Sequence, residues 1–293
     1  MSPQPPLASP GAATGQPRDP LTAAPPRPAA PHIERRLTAA VRGVVGPLIV
    51  VLIFLLGWEA AVRVFDVPAY LLPGPLAIAR ALAQGFPSLA ASWWVTLRIM
   101  AAALLLAVAG GLLLGAWFAL SPRAERLLAP FAVVLQVTPV IAVAPLILIL
   151  TDSALATMLV CAWIVAFFPI VSSTVTGLRS ADANLRDLFR LYRASRWQTL
   201  RLLLAPSALP YFLGGLQVAG GLALIGAVVA EFTAGAAGRE TGLASRILEA
   251  SFRTEIPKMF AALVLVSATG VAVHLLLRAL TRRLIGRWHE SQR

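Results

Sequence analysis

Apolar runs recur along the chain at regular intervals, near residues 44–64, 93–119, 127–150, 154–176, 208–231 and 258–281, with short polar stretches between them. Each is as long as the roughly 20 residues that an α-helix needs to cross about 30 Å of hydrocarbon. The pattern predicts an all-α integral membrane protein with six transmembrane helices. After the first run, Leu71-Leu-Pro-Gly-Pro75 turns the chain into a short interfacial helix that ends near Phe86. Residues 1 to about 33 are rich in Pro, Ala and Gly without hydrophobic periodicity, so a disordered tail is expected there. The expected division is a tail over 1–43, a membrane domain over 44–283 and a second tail over 284–293.

The longest polar interruption, Asp182 to Pro210, follows the fourth run and precedes the fifth. Leu185, Leu188, Phe189 and Tyr192 fall at i, i+3, i+4 and i+7, with Arg186, Arg190 and Arg193 on the other side, which predicts a short amphipathic helix. Asp182 or Asn184 caps its start. After a tight turn near Arg193 and Ala194, Ser195-Arg-Trp-Gln198 has the Ser-x-x-Gln form of a capping box and opens a second short helix. That helix should stop by Pro206, because a proline pushes the preceding residue out of helical geometry.

Composition supports the membrane assignment: 58% of residues are hydrophobic and 13% charged, against a usual charged share of about 25% in soluble domains. The net charge of +12 raises the question of nucleic acid. The basic residues sit between apolar runs, however, which is topology control rather than a binding stripe, and nucleic acid is excluded as a partner. The arginines also orient the chain. Arg18, Arg27, Arg35, Arg36 and Arg42 precede the first run, Arg123 and Arg126 follow the second, six lie between Arg179 and Arg201, and five lie from Arg278 onward. The alternate side holds Arg63, Arg80, Arg98, Arg239, Arg246, Arg253 and Lys258. Because Lys and Arg in short loops stay inside, both termini and the 182–210 stretch are expected in the cytoplasm. The single cysteine, Cys161, allows no internal disulfide.

Residues suited to catalysis are few. No Gly-x-x-x-x-Gly-Lys-Ser/Thr loop is present, the one lysine is Lys258, and His32, His274 and His289 stand apart without metal-ligand spacing. The chain therefore reads as neither an enzyme nor a holder of cofactor or metal. Glu231 closes the fifth run at its expected outer end. Gln136, Thr138 and Gln217 either line an aqueous path with it or bond neighbouring helices. Pro139 and Pro145 in the third run and Pro169 in the fourth should kink or locally unwind those helices, as suits a pathway or merely irregular packing. Two ladders of small residues four apart, Ala103-Ala107-Gly111-Gly115-Ala119 and Gly215-Ala219-Ala223-Ala227, would let helix backbones approach closely in lipid. An alanine-rich sequence also produces such ladders by chance.

The 182–210 stretch resembles the cytoplasmic signature of ABC importer permeases, Glu-Ala-Ala, three residues, Gly, nine residues, Ile-x-Leu-Pro. Asp187-Leu188-Phe189 stands for Glu-Ala-Ala, Arg193 for the glycine, Leu203 for the isoleucine and Ala205-Pro206 for Leu-Pro. The spacing is kept, while Phe189 and Arg193 depart from the pattern. Leu72-Pro-Gly-Pro75, Ser195-Arg-Trp-Gln198, Ala208-Leu-Pro-Tyr211, Gly215-Leu216, Gly226-Ala-Val-Val-Ala-Glu231 and Thr241-Gly-Leu243 look like segments of the permeases for nitrate, sulfonate, taurine and related solutes. The resemblance implies a bacterial inner-membrane pore made of two copies, two cytoplasmic ATPase subunits and an external solute-binding protein. It implies a coupling helix between the fourth and fifth spans, with Asp187, Leu188, Phe189, Tyr192, Arg193, Ser195, Arg196 and Pro206 docking the ATPase. A translocation path would run past Gln136, Thr138, Pro139, Gln217 and Glu231, with membrane lipid outside. A secondary transporter and a membrane assembly protein are the competing classes.

Overall fold

The computed structural model describes residues 32–234 and 241–285, with side chains described from Val45. It divides into two units, Met1–Phe54 and Leu55–Arg293. Within the described part of the first unit lies the start of helix α1 (His32–Val64), which contains Pro47. The apolar part of this helix, Val45–Val64, matches the first expected span, while the helix itself begins earlier, at His32, within the expected tail; residues 1–31 of that tail lie outside the described residues.

The second unit continues with α2 (Pro75–Leu120), α3 (Pro122–Val137), α4 (Val140–Thr151), α5 (Ala154–Arg179), α6 (Ala183–Leu191), α7 (Arg196–Thr199), α8 (Ala205–Ala234), α9 (Leu243–Phe252) and α10 (Ile256–Ile285). Five helical stretches are long and apolar enough to cross a membrane, and the bent pair α3–α4 makes a sixth when counted as one broken span. The expected interfacial helix does not end near Phe86: α2 runs without interruption through Pro87 to Leu120. The third expected span is broken near Pro139, as its prolines led one to expect: α3 and α4 meet at 100°. Pro139 has no amide hydrogen to continue the ladder and forces Thr138 into extended backbone (φ −67°, ψ 122°). Pro145 and Pro169 stay inside α4 and α5.

The core is built around α5, with α2 on one side and α8 on the other. Both small-residue ladders turn inward, for Ala103, Ala107, Ala219 and Ala223 are all fully buried. On α2, a Cβ added to Gly111 would sit 2.6 Å from Cγ2 of Ile170; on α8, one added to Gly215 would sit 2.9 Å from the carbonyl oxygen of Pro169. Side chains at these positions would push the backbones apart, so the ladders set the helix spacing within one chain. The other side of α8 is open: Val218 and Ile225 are each 56% exposed, and Gly214 and Gly221 have nothing within 4 Å of an added Cβ.

Turns use the remaining backbone freedom in an unusual way. No glycine among the described residues has a positive φ; Asp66, Asp152, Arg193 and Thr254 take that conformation instead. Glycine is thus spent on helix contacts, and charged or polar residues close the helices.

Candidate functional site: the loop between α5 and α8, and the far end of α8

The loop starts with a cap. Asp182 accepts from the amides of Asn184 (2.7 Å) and Leu185 (3.4 Å), which settles the choice left between Asp182 and Asn184. At the other end of α6, the Arg193 amide donates to the Arg190 carbonyl (2.9 Å) and the Ala194 amide to the Phe189 carbonyl (2.9 Å). These two bonds form a Schellman motif with Arg193 at its left-handed position, φ 51°. That is where the permease signature has glycine, the residue that takes this conformation without cost. Ser195 and Gln198 then form the reciprocal capping box, with the Ser195 amide donating to Gln198 Oε1 (2.7 Å) and the Gln198 amide to Ser195 Oγ (3.2 Å).

The second short helix does not stop by Pro206. It passes through a π turn, Leu200–Leu204, in which the Ala205 amide donates to the Leu200 carbonyl, and runs directly into α8. The wider turn shifts the hydrogen-bond register by one residue just ahead of the proline, so the missing amide of Pro206 falls where the ladder is already rearranged.

Facing outward from this frame are side chains that the chain itself does not cover. Leu185 and Leu188 are 45% and 44% exposed, Tyr192 78%, and Phe189 is half-buried. Leu191 and Trp197 are exposed as well; both lie off the four-residue stripe, and their apolar character was the only available signal. Asp187 pairs with Arg190 at 3.2 Å, both largely exposed, an arrangement worth little. Arg186 reaches back and donates to the carbonyl of Leu178 at the end of α5 (2.8 Å). Arg179 bridges to Glu125 of α3 (3.0 Å), fixing the cytoplasm-proximal ends of two helices to each other if the expected orientation is taken.

The five residues expected along a path are held in three separate places. Gln136 and Pro139 are exposed at the α3–α4 break, where the Thr138 hydroxyl donates to the Val134 carbonyl (2.6 Å). Gln217 donates to Thr281 of α10 (2.9 Å), an interhelical bond. Glu231 is 1% exposed and accepts from the amide of Ala244 (2.8 Å), while the Leu243 amide donates to Thr96 Oγ1 (2.9 Å). Two orphan amides at the start of α9 are thereby satisfied from α8 and α2. The other Glu231 oxygen is buried without a partner, and a Cβ on Gly242 would run into it. Arg246, one turn further, donates to Ser92 (2.9 Å) and pairs with Glu249 (2.8 Å). Nothing in the hydrophobic pattern announced α9, because its ten residues are short and mixed.

Residues 107–286 match the family model described as binding-protein-dependent transport system inner membrane component. The chain belongs to this family. It is therefore an ABC-type permease and a multi-pass protein of the inner membrane. Among its relatives, the riboflavin transport system permease protein RibX of Chloroflexus aurantiacus is 34% identical over 83% of this chain and 90% of its own. The formylaminopyrimidine transport permease protein ThiX of Halalkalibacterium halodurans is 31% identical over 84% and 96%. The putative aliphatic sulfonates transport permease protein SsuC of Bacillus subtilis is 28% identical over 86% and 88%. The fold is shared with an amino acid ABC transporter chain, at a TM-score of 0.58 and 16% identity, over 69% of this chain and 96% of that one. ABC permeases of this kind are the membrane components of their transporters, so the features above belong to a transport subunit.

Proposed function

We propose that this permease forms the translocation path of an ATP-driven importer and couples to separate cytoplasmic ATPase subunits through α6. The observation that carries this reading is the aromatic and aliphatic surface of α6, rigidly framed by two caps and left uncovered by the chain. In this reading Leu188, Phe189 and Tyr192 enter a cleft on the ATPase, with Asp187, Ser195, Arg196 and Pro206 holding the frame around them. The open face of α8, with Gly214, Val218, Gly221 and Ile225, and the α3–α4 break at Gln136, Thr138 and Pro139, line the path or meet a second copy of the chain. Gln217 and Glu231 support that path by anchoring α10 and α9. At the opposite end of α8, Gln84, Arg246, Glu249, Arg253 and Lys258 surround a cavity of about 460 Å³. Its charges of both signs suit an external solute-binding protein. The solute is a small molecule: the names of the relatives above support a heterocycle or an aliphatic sulfonate, and the resemblance of the sequence adds nitrate and taurine.

The test is co-purification of the ATPase subunits with wild type and with a Phe189→Ala, Tyr192→Ala double variant, at equal expression. Loss of most of the ATPase from the double variant is expected, because aromatic anchors carry much of the energy of a small interface. Equal recovery from both would remove the docking assignment.

A further inference from the structure

Behind the coupling helix, on the side turned to the membrane domain, lies a cavity of about 510 Å³ whose charged lining is four arginines, Arg179, Arg186, Arg190 and Arg196, with no acidic residue in its wall. Arg179 and Arg190 share their charge with Glu125 and Asp187. Arg186 and Arg196 have no carboxylate partner among the described residues, and the buried Nε of Arg186 has no acceptor. Leu120 and Leu178 also line it, and they stand where the α2 and α5 spans end. The cavity therefore sits at the shared end of two helices that are long and apolar enough to cross a membrane.

A second hollow, of about 400 Å³, shares Leu178 with the first; its exposed wall is mainly apolar, although Thr174 and Arg201 also line it. Leu112, Ala116, Leu209 and Phe212 line it. Leu112 lies eight residues before Leu120, about 12 Å deeper along the helix at ~1.5 Å per residue. The segment between the two hollows serves both: Arg196 and Thr199 face the arginine cavity, and Trp197, Leu200 and Arg201 line the trench.

We infer that this pair of hollows binds one anionic glycerophospholipid, its phosphate between Arg186, Arg190 and Arg196 and an acyl chain in the trench along α2 and α8. Guanidinium groups match a phosphodiester in charge and in forked geometry, and the trench provides what a free anion has no use for. This goes beyond the importer reading and requires only that the chain spans a membrane. A lipid so placed would back the coupling helix and hold it off the membrane domain at a fixed distance.

The full-length permease, stripped of lipid in detergent, is titrated with phosphatidylglycerol and with phosphatidylcholine of the same acyl chains, and bound copies are counted by native mass spectrometry. Wild type should retain one phosphatidylglycerol per chain and discriminate against phosphatidylcholine. Arg196→Gln, at an exposed residue without an ion pair, should weaken phosphatidylglycerol severalfold, and adding Arg190→Gln should bring the loss to about thirtyfold, as expected for roughly 1 kcal/mol per basic residue near a phosphate. Ala116→Phe, which fills the trench, should weaken it as well, and inorganic phosphate at the same concentration should not displace the lipid. Equal binding of the two lipids, or an affinity untouched by the arginine changes, would overturn the proposal. So would phosphate binding as tightly as the lipid with no response to Ala116→Phe, which marks a free-anion site. Loss of ATPase recovery in the arginine variants with lipid binding intact would assign the cavity to a protein partner instead.

Discussion

The two ends of α8 solve opposite problems. At the α6–α7 end the helix caps are supplied within a few residues, by Asp182, the Schellman turn at Arg193 and the Ser195–Gln198 box. The apolar side chains are left facing out. At the α9 end the demand is met from far away in sequence: Glu231 of α8 and Thr96 of α2 take the first amides of α9, and both are buried. A region that settles its own hydrogen bonds locally can be handled by a partner without coming apart. One that borrows its caps from two other helices is welded to them.

That contrast ranks the variants. Replacing Glu231 by Leu should have the largest effect, on the order of 3 kcal/mol, because it strands a buried amide and removes the tie between α8 and α9. Thermal unfolding in detergent measures it, and Glu231→Gln, whose amide oxygen can still accept from Ala244, should recover most of the loss. If Leu and Gln behave alike, the cap is not what holds α9. Gly242→Ala should come next, at about 2 kcal/mol, since the new methyl meets Glu231 and Thr96 with no space to give. A melting point equal to wild type would show that the start of α9 yields easily.

Smaller effects belong to the locally capped end. Ser195→Ala should cost about 1 kcal/mol by opening the capping box, read as faster amide hydrogen exchange over residues 196–199 while α8 beyond Ala205 stays protected. Exchange rising along the whole of α8 would mean that the cap supports more than its own turn. Arg193→Gly should be slightly stabilising, by roughly 0.5 kcal/mol, as relief of the left-handed backbone outweighs the added freedom of the unfolded chain. ATPase recovery should be equal or better; a drop would show that the arginine side chain itself takes part in docking.

How far the sequence revealed all this depends on whether the signal was local. The caps at Asp182 and Ser195 and the left-handed turn at Arg193 were legible because each is decided by residues within one turn of helix. The inward ladders were visible as a pattern, but their partner was not: nothing in Gly111 or Gly215 names Ile170 or Pro169. Proline was read correctly at Pro139, where the chain breaks, and incorrectly at Pro206, where a π turn rearranges the ladder ahead of it. Pro87 in α2 gave no break either. Glu231 stood out as an intramembrane carboxylate, yet its partner is an amide 13 residues further on, and sequence periodicity carries no information about such a bond.

The uninterrupted run from Arg196 to Thr233 has a mechanical consequence. It spans 38 residues, about 57 Å at ~1.5 Å per residue, with the capping box at its foot and Glu231 near its tip. A helix resists being shortened far better than it resists being bent, so thrust applied at Ser195 travels up the column instead of dissipating in a joint. The π turn at Leu200–Leu204 is an offset in that column, a place where it can swivel without losing length. On the proposed importer reading, this column is the element that would carry a push on α6 to the α9 end.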